Sequence, residues 1–462
     1  MIKKIHLVAA CGTGMGTLAC ILKEMGYSVS GSDQHVYPPM SDFLREKGIL
    51  LFEGYDPSHI DHNPDLVIIG NAVTKHNPEA MAVLESKVEY LSMPQAVNRF
   101  IAKDKKIILV TGTHGKTTTS SIMAHILHTA GMDPSFMIGG ILKDFNSSFR
   151  IGKGDYMVIE GDEYDTAFFD KGPKFMHYEP RITIMTGIEF DHADIFTDID
   201  HIKSVFSNFL KKNEKTTHII AFNENQNLMD VLSSSSSVSM ETYGTNAQWF
   251  FSDHDQQNGW TIFDVHGSGQ TIFIKTRLPG EHNIFNCMAC IATAVKIGIS
   301  KPMIQKALKS FTGIKRRQEI RGVKNQITVM DDFAHHPTAV QETIKAVKPF
   351  YKEGRVIAVF EPRTNTSMRH FFQQTYPMSF SQADMVCICE PCTKKTIQAD
   401  EKFSTQQLVA DIVKMGVDAY HFKNSQEIIN FLCINLKKND LVLIMSNGGF
   451  DNIHLKLLEN IK

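Results

Sequence analysis

The stretch KIILVTGTHGKTTTSSIMAHILHTAG, residues 106–131, decides the fold. Its apolar run at 107–110 reads as a buried strand, and residues 111–119 form a loop of glycines and threonines with one histidine and one lysine. Apolar residues at helical spacing follow. Strand, glycine loop and helix in that order are the context of a phosphate-binding loop. A strict loop, G-x-x-x-x-G-K-[ST], places its first glycine at position 110, where Val110 stands. The rest is present. Gly112 and Gly115 let the backbone approach a phosphate, with Thr113 and Thr118 completing the loop. Lys116 is placed to reach the β- and γ-phosphates, and Thr117 to ligate Mg²⁺ through its hydroxyl. No N-K-x-D guanine signature occurs in the chain, so ATP is expected rather than GTP.

An earlier loop, CGTGMGT at 11–17, also follows an apolar strand. Gly12 and Gly14 begin a G-x-G-x-x-G pattern, but Thr17 occupies the last glycine position and Gly16 comes one residue early. Asp33 follows at about the distance where an acid meets a ribose. An NAD site, a tight turn without ligand and a site for another nucleotide diphosphate are the three readings. The second nucleotide loop at 111 favours the last.

Working outward, strands alternate with helices over the whole chain, which predicts parallel sheets of the α/β class. The length of 462 residues suits about three domains. The expected divisions are 1–104, a Rossmann-like domain, 105–314, a P-loop ATPase-like domain, and 315–462, a second Rossmann-like domain. Alternating and aromatic residues with glycine turns at 240–278 predict an antiparallel patch inserted in the central domain.

The composition excludes several classes. Net charge is −2, so there is no basic field for nucleic acid. No apolar run is long enough to span a bilayer, and the N-terminal residues MIKKIHLVAACGTG read as a first buried strand, not a secretory signal. Eight scattered cysteines suggest a reducing compartment. Cys287 with Cys290, and Cys387 with Cys389 and Cys392, are expected to be small buried hydrophobes rather than metal ligands.

Acids and histidines gather where strands end. In VIEGDEYD, Glu160 is a candidate Mg²⁺ ligand. In IEFDHAD, His192 is a second, beside Asp191. In PGEHNIFN, Asn283 and Asn286 are candidates for an adenine edge, and KRRQE offers Arg316 and Arg317 as a phosphate clamp at a domain junction. DDFAHHP places Asp331, Asp332, His335 and His336 at another strand end, for a metal, a ribose or substrate.

GTHGKTTT, EGDE, EFDH, GEHNIFN and DDFAHHPT occur in the order and spacing of a family, and the chain resembles the Mur ligases over essentially its whole length. These are ATP-dependent, amino-acid-adding enzymes of bacterial cell-wall synthesis. The forms GTHGKTTT and DDFAHHPT are similar to the branch that acts on UDP-N-acetylmuramate. The stretches GSDQHVYPPMS, EGDEYDTAFFDKGPKFMHY, EPRTNTSMR and MSNGGF resemble members that add a recovered tripeptide, L-alanyl-γ-D-glutamyl-meso-diaminopimelate, during wall recycling. The alternative acceptor is L-alanine. Where the family continues SNGGF with glycine, this chain has Asp451.

The resemblance implies roles. Lys116 and His192 are catalytic. Gly112, Thr113, Gly115, Lys116, Thr117, Thr118, Asn283, Asn286, Arg317 and Asp332 bind ATP. Thr117, Glu160 and His192 hold Mg²⁺. Gly12, Thr13, Gly14, Met15, Gly16, Ser32, Asp33, Asn71 and His114 bind the UDP-sugar, and Arg363, Asn365, Ser446 and Asn447 the acceptor. A cytoplasmic monomer without nucleic-acid or membrane partners is expected.

Overall fold

The computed structural model describes residues 2–36, 40–163, 165–193, 195–235, 238–364, 366–391 and 402–461, with Thr13 described by its backbone alone. Asn365 and Cys392 therefore lie outside the described residues.

Three parallel sheets follow one another along the chain. The first has the order β3-β2-β1-β4-β5, with β1 Lys4–Val8, β2 Ser28–Asp33, β3 Leu50–Glu53, β4 Leu66–Ile69 and β5 Glu89–Ser92. The second comprises β6 Lys106–Thr111, β7 Ser135–Leu142, β8 Ser147–Arg150, β9 Tyr156–Gly161, β12 Ile182–Met185, β13 His218–Phe222 and β14 Ser239–Tyr243. Its order is β14-β13-β12-β6-β9-β7-β8, antiparallel only at β7/β8. A small ribbon, β10 Asp165–Ala167 with β11 Asp170–Pro173, stands apart from it. The expected antiparallel patch is a three-stranded meander of β15 Phe250–Gln257, β16 Trp260–Gly267 and β17 Gln270–Thr276.

The third sheet has the order β18-β19-β23-β20-β21-β22. Its strands are β18 Glu319–Lys324, β19 Ile327–Asp332, β20 Val356–Phe360, β21 Met385–Cys389, β22 Asp418–Phe422 and β23 Leu441–Met445, and β18 is the antiparallel edge.

The sequence explains why these strands lie at the centres of their sheets. Sheets covered by helices on both faces take continuous apolar runs. Accordingly ILV at 108–110, ITIM at 182–185, VIAVF at 356–360 and LVLIM at 441–445 are buried throughout. The cysteines at 287, 290, 387 and 389 are buried among them, and burial pushes the thiols of Cys287 and Cys387 up to about 12. No helix among the described residues is long and apolar enough to cross a membrane.

One buried polar knot holds the first sheet to its covering helix Pro78–Glu85. The Glu79 carboxylate is fully buried and accepts from His6 Nε2 at 2.6 Å, Ser32 Oγ at 2.8 Å and His59 Nδ1 at 3.0 Å. Burial alone would raise the Glu79 pKa, but hydrogen bonds and charge from His6 and bonds from His59 and Ser32 bring it below the ordinary range. A depressed carboxylate contributes stability that is complete above its unfolded pKa, about 4.3, and is lost as pH falls through its lower folded value. Glu79→Ala strands two imidazoles and a hydroxyl. It is expected to destabilise by roughly 3–5 kcal/mol, read as a fall in Tm at pH 7 that shrinks in acid.

Candidate active site

The nucleotide loop departs from the strict motif for a structural reason. Val110 is fully buried inside β6, paired with Glu160 on β9 and Ile184 on β12. The strand simply continues to Thr111, and the loop starts later. Gly112 has φ 127°, and a Cβ there would stand 2.4 Å from Thr186 Oγ1. Gly115 caps the helix Lys116–Thr129 with φ 79°, and a Cβ would meet Asn286 Oδ1 at 2.6 Å. Both positions therefore require glycine, and the helix N-terminus they expose favours an anion.

The carboxyl ends of β6, β9 and β12 converge there, where α/β sheets place ligands. Thr117 Oγ1 donates to Glu160 Oε1 at 2.7 Å, and the Gly139 N–H donates to Glu160 Oε2 at 2.7 Å. Burial and the nearby Asp162 raise the Glu160 pKa against the pull of Lys116. A half-buried carboxylate of this kind, with a threonine hydroxyl beside it, is the hard oxygen donor set that suits Mg²⁺. Lys116 is largely withdrawn from water, with its side chain 11% exposed, yet Glu163, Asp162 and Glu160 hold its pKa above the ordinary lysine value. His192 sits at φ 56°, in left-handed backbone unusual for a non-glycine residue, with its N–H bound to Asp191 Oδ1 at 2.7 Å. Burial would raise Asp191, but the charges of His192, His335 and His336 bring it to about 2.

A cavity of about 860 Å³ opens over this loop. It is lined by Thr113, Gly115, Lys116, Thr117 and Thr118, by Glu160 and His192, and by Asn283, Asn286, Arg317 and Asp332. Arg363 and Asn447, from the third sheet's loops, line it as well. Asn286 braces the loop: its Oδ1 accepts from Thr119 Oγ1 at 3.0 Å and its Nδ2 donates to Asn283 Oδ1. Asn283 Nδ2 donates to Pro279 O at 2.7 Å. Phe222, Tyr243, Leu278 and Phe285 add an apolar wall for a flat ring. Phe222, Tyr243 and Leu278 come from strand ends and a turn without any motif, whereas Phe285 stands inside PGEHNIFN on the helix Glu281–Lys296, between the two candidate asparagines.

The two junction arginines divide their work. Arg317 Nη2 reaches Thr117 Oγ1 at 3.3 Å, at the loop. Arg316 instead donates to Ser446 O and Gly448 O, both at 2.6 Å, so of the expected clamp it pins the loop after β23, and of the two only Arg317 lines the cavity. Asp332 fixes the junction by accepting from the Gln318 and Ala334 N–H groups at 2.8 and 2.7 Å. Ser446 is buried and donates to Glu361 Oε2 at 2.8 Å. Asp451 has φ 52°, which is the backbone a glycine takes freely.

The seam between central and third domains is tied by a carboxylate that the motifs did not single out. Glu189 Oε2 accepts from Thr338 Oγ1 at 2.8 Å and from His114 Nε2 at 3.3 Å, and His336 Nδ1 lies 3.8 Å away. Donor atoms of His114, Glu189 and His336 fall within 4.8 Å of one another. His336 Nδ1 also accepts the Thr338 N–H at 3.3 Å, capping the helix Pro337–Val347. The His-His pair thus serves the turn into that helix, with His335 Nδ1 donating to Phe333 O at 3.0 Å.

Of the residues expected at the UDP-sugar, only His114 lines the cavity. The others stand at the carboxyl ends of the first sheet. Gly12 has open space where a Cβ would point and precedes the helix Thr13–Glu24, while Gly14 and Gly16 pack against Met93 and Met40. Met15 is buried and Asn71 exposed. Ser32 is held by Glu79, and Asp33 Oδ2 accepts the Cys11 N–H at 2.8 Å, tying β2 to the glycine loop.

The family model for the Mur ligase family catalytic domain matches residues 4–105, the Mur ligase middle domain 110–294, and the Mur ligase glutamate ligase domain 316–448. The chain is 38% identical to the UDP-N-acetylmuramate–L-alanyl-γ-D-glutamyl-meso-2,6-diaminoheptandioate ligase of Haemophilus influenzae, over 100% of this chain and 99% of that one. It is 33% identical to the UDP-N-acetylmuramate–L-alanine ligase of Clostridium tetani, over 97% and 96%. The solved murein peptide ligase of Psychrobacter arcticus superposes with a TM-score of 0.73 at 33% identity, covering 99% of this chain and 98% of that one. The chain belongs to the Mur ligase family.

Proposed function

We propose that this enzyme joins UDP-N-acetylmuramate to the tripeptide L-alanyl-γ-D-glutamyl-meso-diaminopimelate, using ATP, in the recycling of wall fragments. The observation that carries the reading is one shared cavity. It brings Lys116, the Thr117–Glu160 pair and His192 together on one wall, with Arg363 and Asn447 of the third domain on another. The full-length relative with the greater identity, a tripeptide-adding ligase, supports the choice of acceptor over L-alanine.

In this reading residues 1–104 hold the UDP-sugar, 105–314 hold ATP, and 315–462 hold the acceptor. The muramyl carboxylate attacks the γ-phosphorus, the bond to ADP breaks, and an acyl phosphate forms. The acceptor amine then attacks the carbonyl carbon and phosphate leaves, giving the amide. Carboxylate and triphosphate repel each other, so Lys116 and the amides at the helix N-terminus stabilise the charge of in-line transfer. Thr117 and Glu160 would hold one Mg²⁺, and His192 a second cation position. Bound there, Mg²⁺ neutralises phosphate charge. Arg317, on the junction, reaches the loop as the domains meet and helps close the site to water. Arg363 and Asn447 receive acceptor carboxylates. The protein acts as a cytoplasmic monomer.

The test offers purified enzyme, ATP, Mg²⁺ and UDP-N-acetylmuramate either tripeptide or L-alanine. Phosphate release and amide product are expected with tripeptide at a kcat/KM at least about a hundredfold above that with alanine. Equal or better turnover of alanine would sink the choice.

A further inference from the structure

Lys116 has three N–H bonds, and protein acceptors occupy all of them. Gly112 O lies at 2.7 Å, Thr113 O at 3.2 Å, and Glu163 Oε2 and Oε1 at 2.9 and 3.0 Å. In this arrangement the ammonium has no donor left for a phosphate oxygen. Glu163 is engaged just as fully. Its side chain is 5% exposed, and among the described residues Lys116 donates to both of its oxygens. Two anionic oxygens at hydrogen-bond distance are what a phosphate would present to the same ammonium.

We propose that Glu163 is an internal stand-in for the nucleotide phosphate: it holds Lys116 while the loop is empty and gives it up when ATP binds. The inference rests on reading residues 111–119 as the ATP loop. Glu163 is then a positioning residue that acts through Lys116. The Glu163-bound state competes with nucleotide, so apparent affinity is reduced by the fraction of loops in which Lys116 is engaged. The competition also gives the exchange a direction. A buried carboxylate stripped of its cation is unfavourable, so Glu163 recaptures Lys116 when the nucleotide leaves.

The sign of one substitution decides the matter. In Glu163→Gln the shape is kept and the charge removed. Titration calorimetry with a β,γ-imido ATP analogue and Mg²⁺ is expected to give binding about tenfold tighter than wild type. Were Glu163 a brace that keeps Lys116 in its working position, the same variant would bind more weakly. Unchanged or weaker binding by a variant whose melting curve is intact overturns the stand-in role and leaves the ATP loop standing. Absence of analogue binding by the wild type removes both. A crystal structure of the wild-type complex provides a check that needs no variant. The Lys116–Glu163 contacts, now 2.9 and 3.0 Å, are expected to open beyond hydrogen-bond reach, and a retained pair would contradict the proposal.

Discussion

Lys116→Ala is expected to lower kcat for amide formation by about a thousandfold or more, measured as phosphate release and product formed at saturating substrates. Lys116 is the cation at the mouth of the loop, and the reaction brings a carboxylate onto a triphosphate. Removing it leaves that repulsion to the metal and the backbone amides. The same change has a structural consequence, because Glu163 stays buried without its partner. Breaking a buried pair from one side destabilises by roughly 3–5 kcal/mol, so a lower Tm is expected alongside the lost activity. The double variant Lys116→Ala with Glu163→Gln separates the two effects. Its Tm is expected to recover toward wild type while kcat stays low. Recovery of activity along with Tm would mean that Lys116 serves folding alone.

Glu160→Gln is expected to lower kcat by about a hundred- to a thousandfold and to raise the Mg²⁺ concentration needed for half-maximal rate. The geometry explains the size of the effect. Both Glu160 oxygens accept, one from Thr117 and one from the Gly139 N–H. Glutamine keeps one acceptor for the Gly139 N–H and turns an NH₂ toward Thr117, whose hydroxyl must then accept rather than donate, so the bond is reversed as well as the charge lost. A metal titration in which the variant matches wild type would remove Glu160 from the metal site.

Much of this was legible in the chain. The apolar runs that form β6, β12, β20 and β23 identify themselves, because a strand covered on both faces has no polar alternation to hide it. The loop after β6 was legible despite Val110, since Gly115, Lys116 and Thr117 are neighbours in sequence and their chemistry is local. Glu160 could be named because it lies at the end of β9, while His192, expected at a strand end, lies seven residues past the end of β12 at Met185, in the loop that follows.

Glu163, Glu189 and Thr338 are different. Nothing in EGDE distinguishes the carboxylate that bonds Thr117 from the one that holds Lys116. The choice is made by position along the chain path: Glu160 is still on β9, whereas Glu163 lies in the loop that follows its end at Gly161. Glu189 and Thr338 are 149 residues apart, and only the meeting of two domains makes them partners. The two arginines at 316 and 317 show the same limit, as adjacent residues of one type were split into a loop anchor and a cavity-facing group.

The sequence by itself determined three α/β sheets, the nucleotide loop and the family, because these depend on apolar period and on residues close along the chain. Only the tertiary structure decided which acid faces which cation and how the domains are tied. Those choices depend on burial and on separations of a few ångströms between distant segments, for which sequence spacing holds no measure.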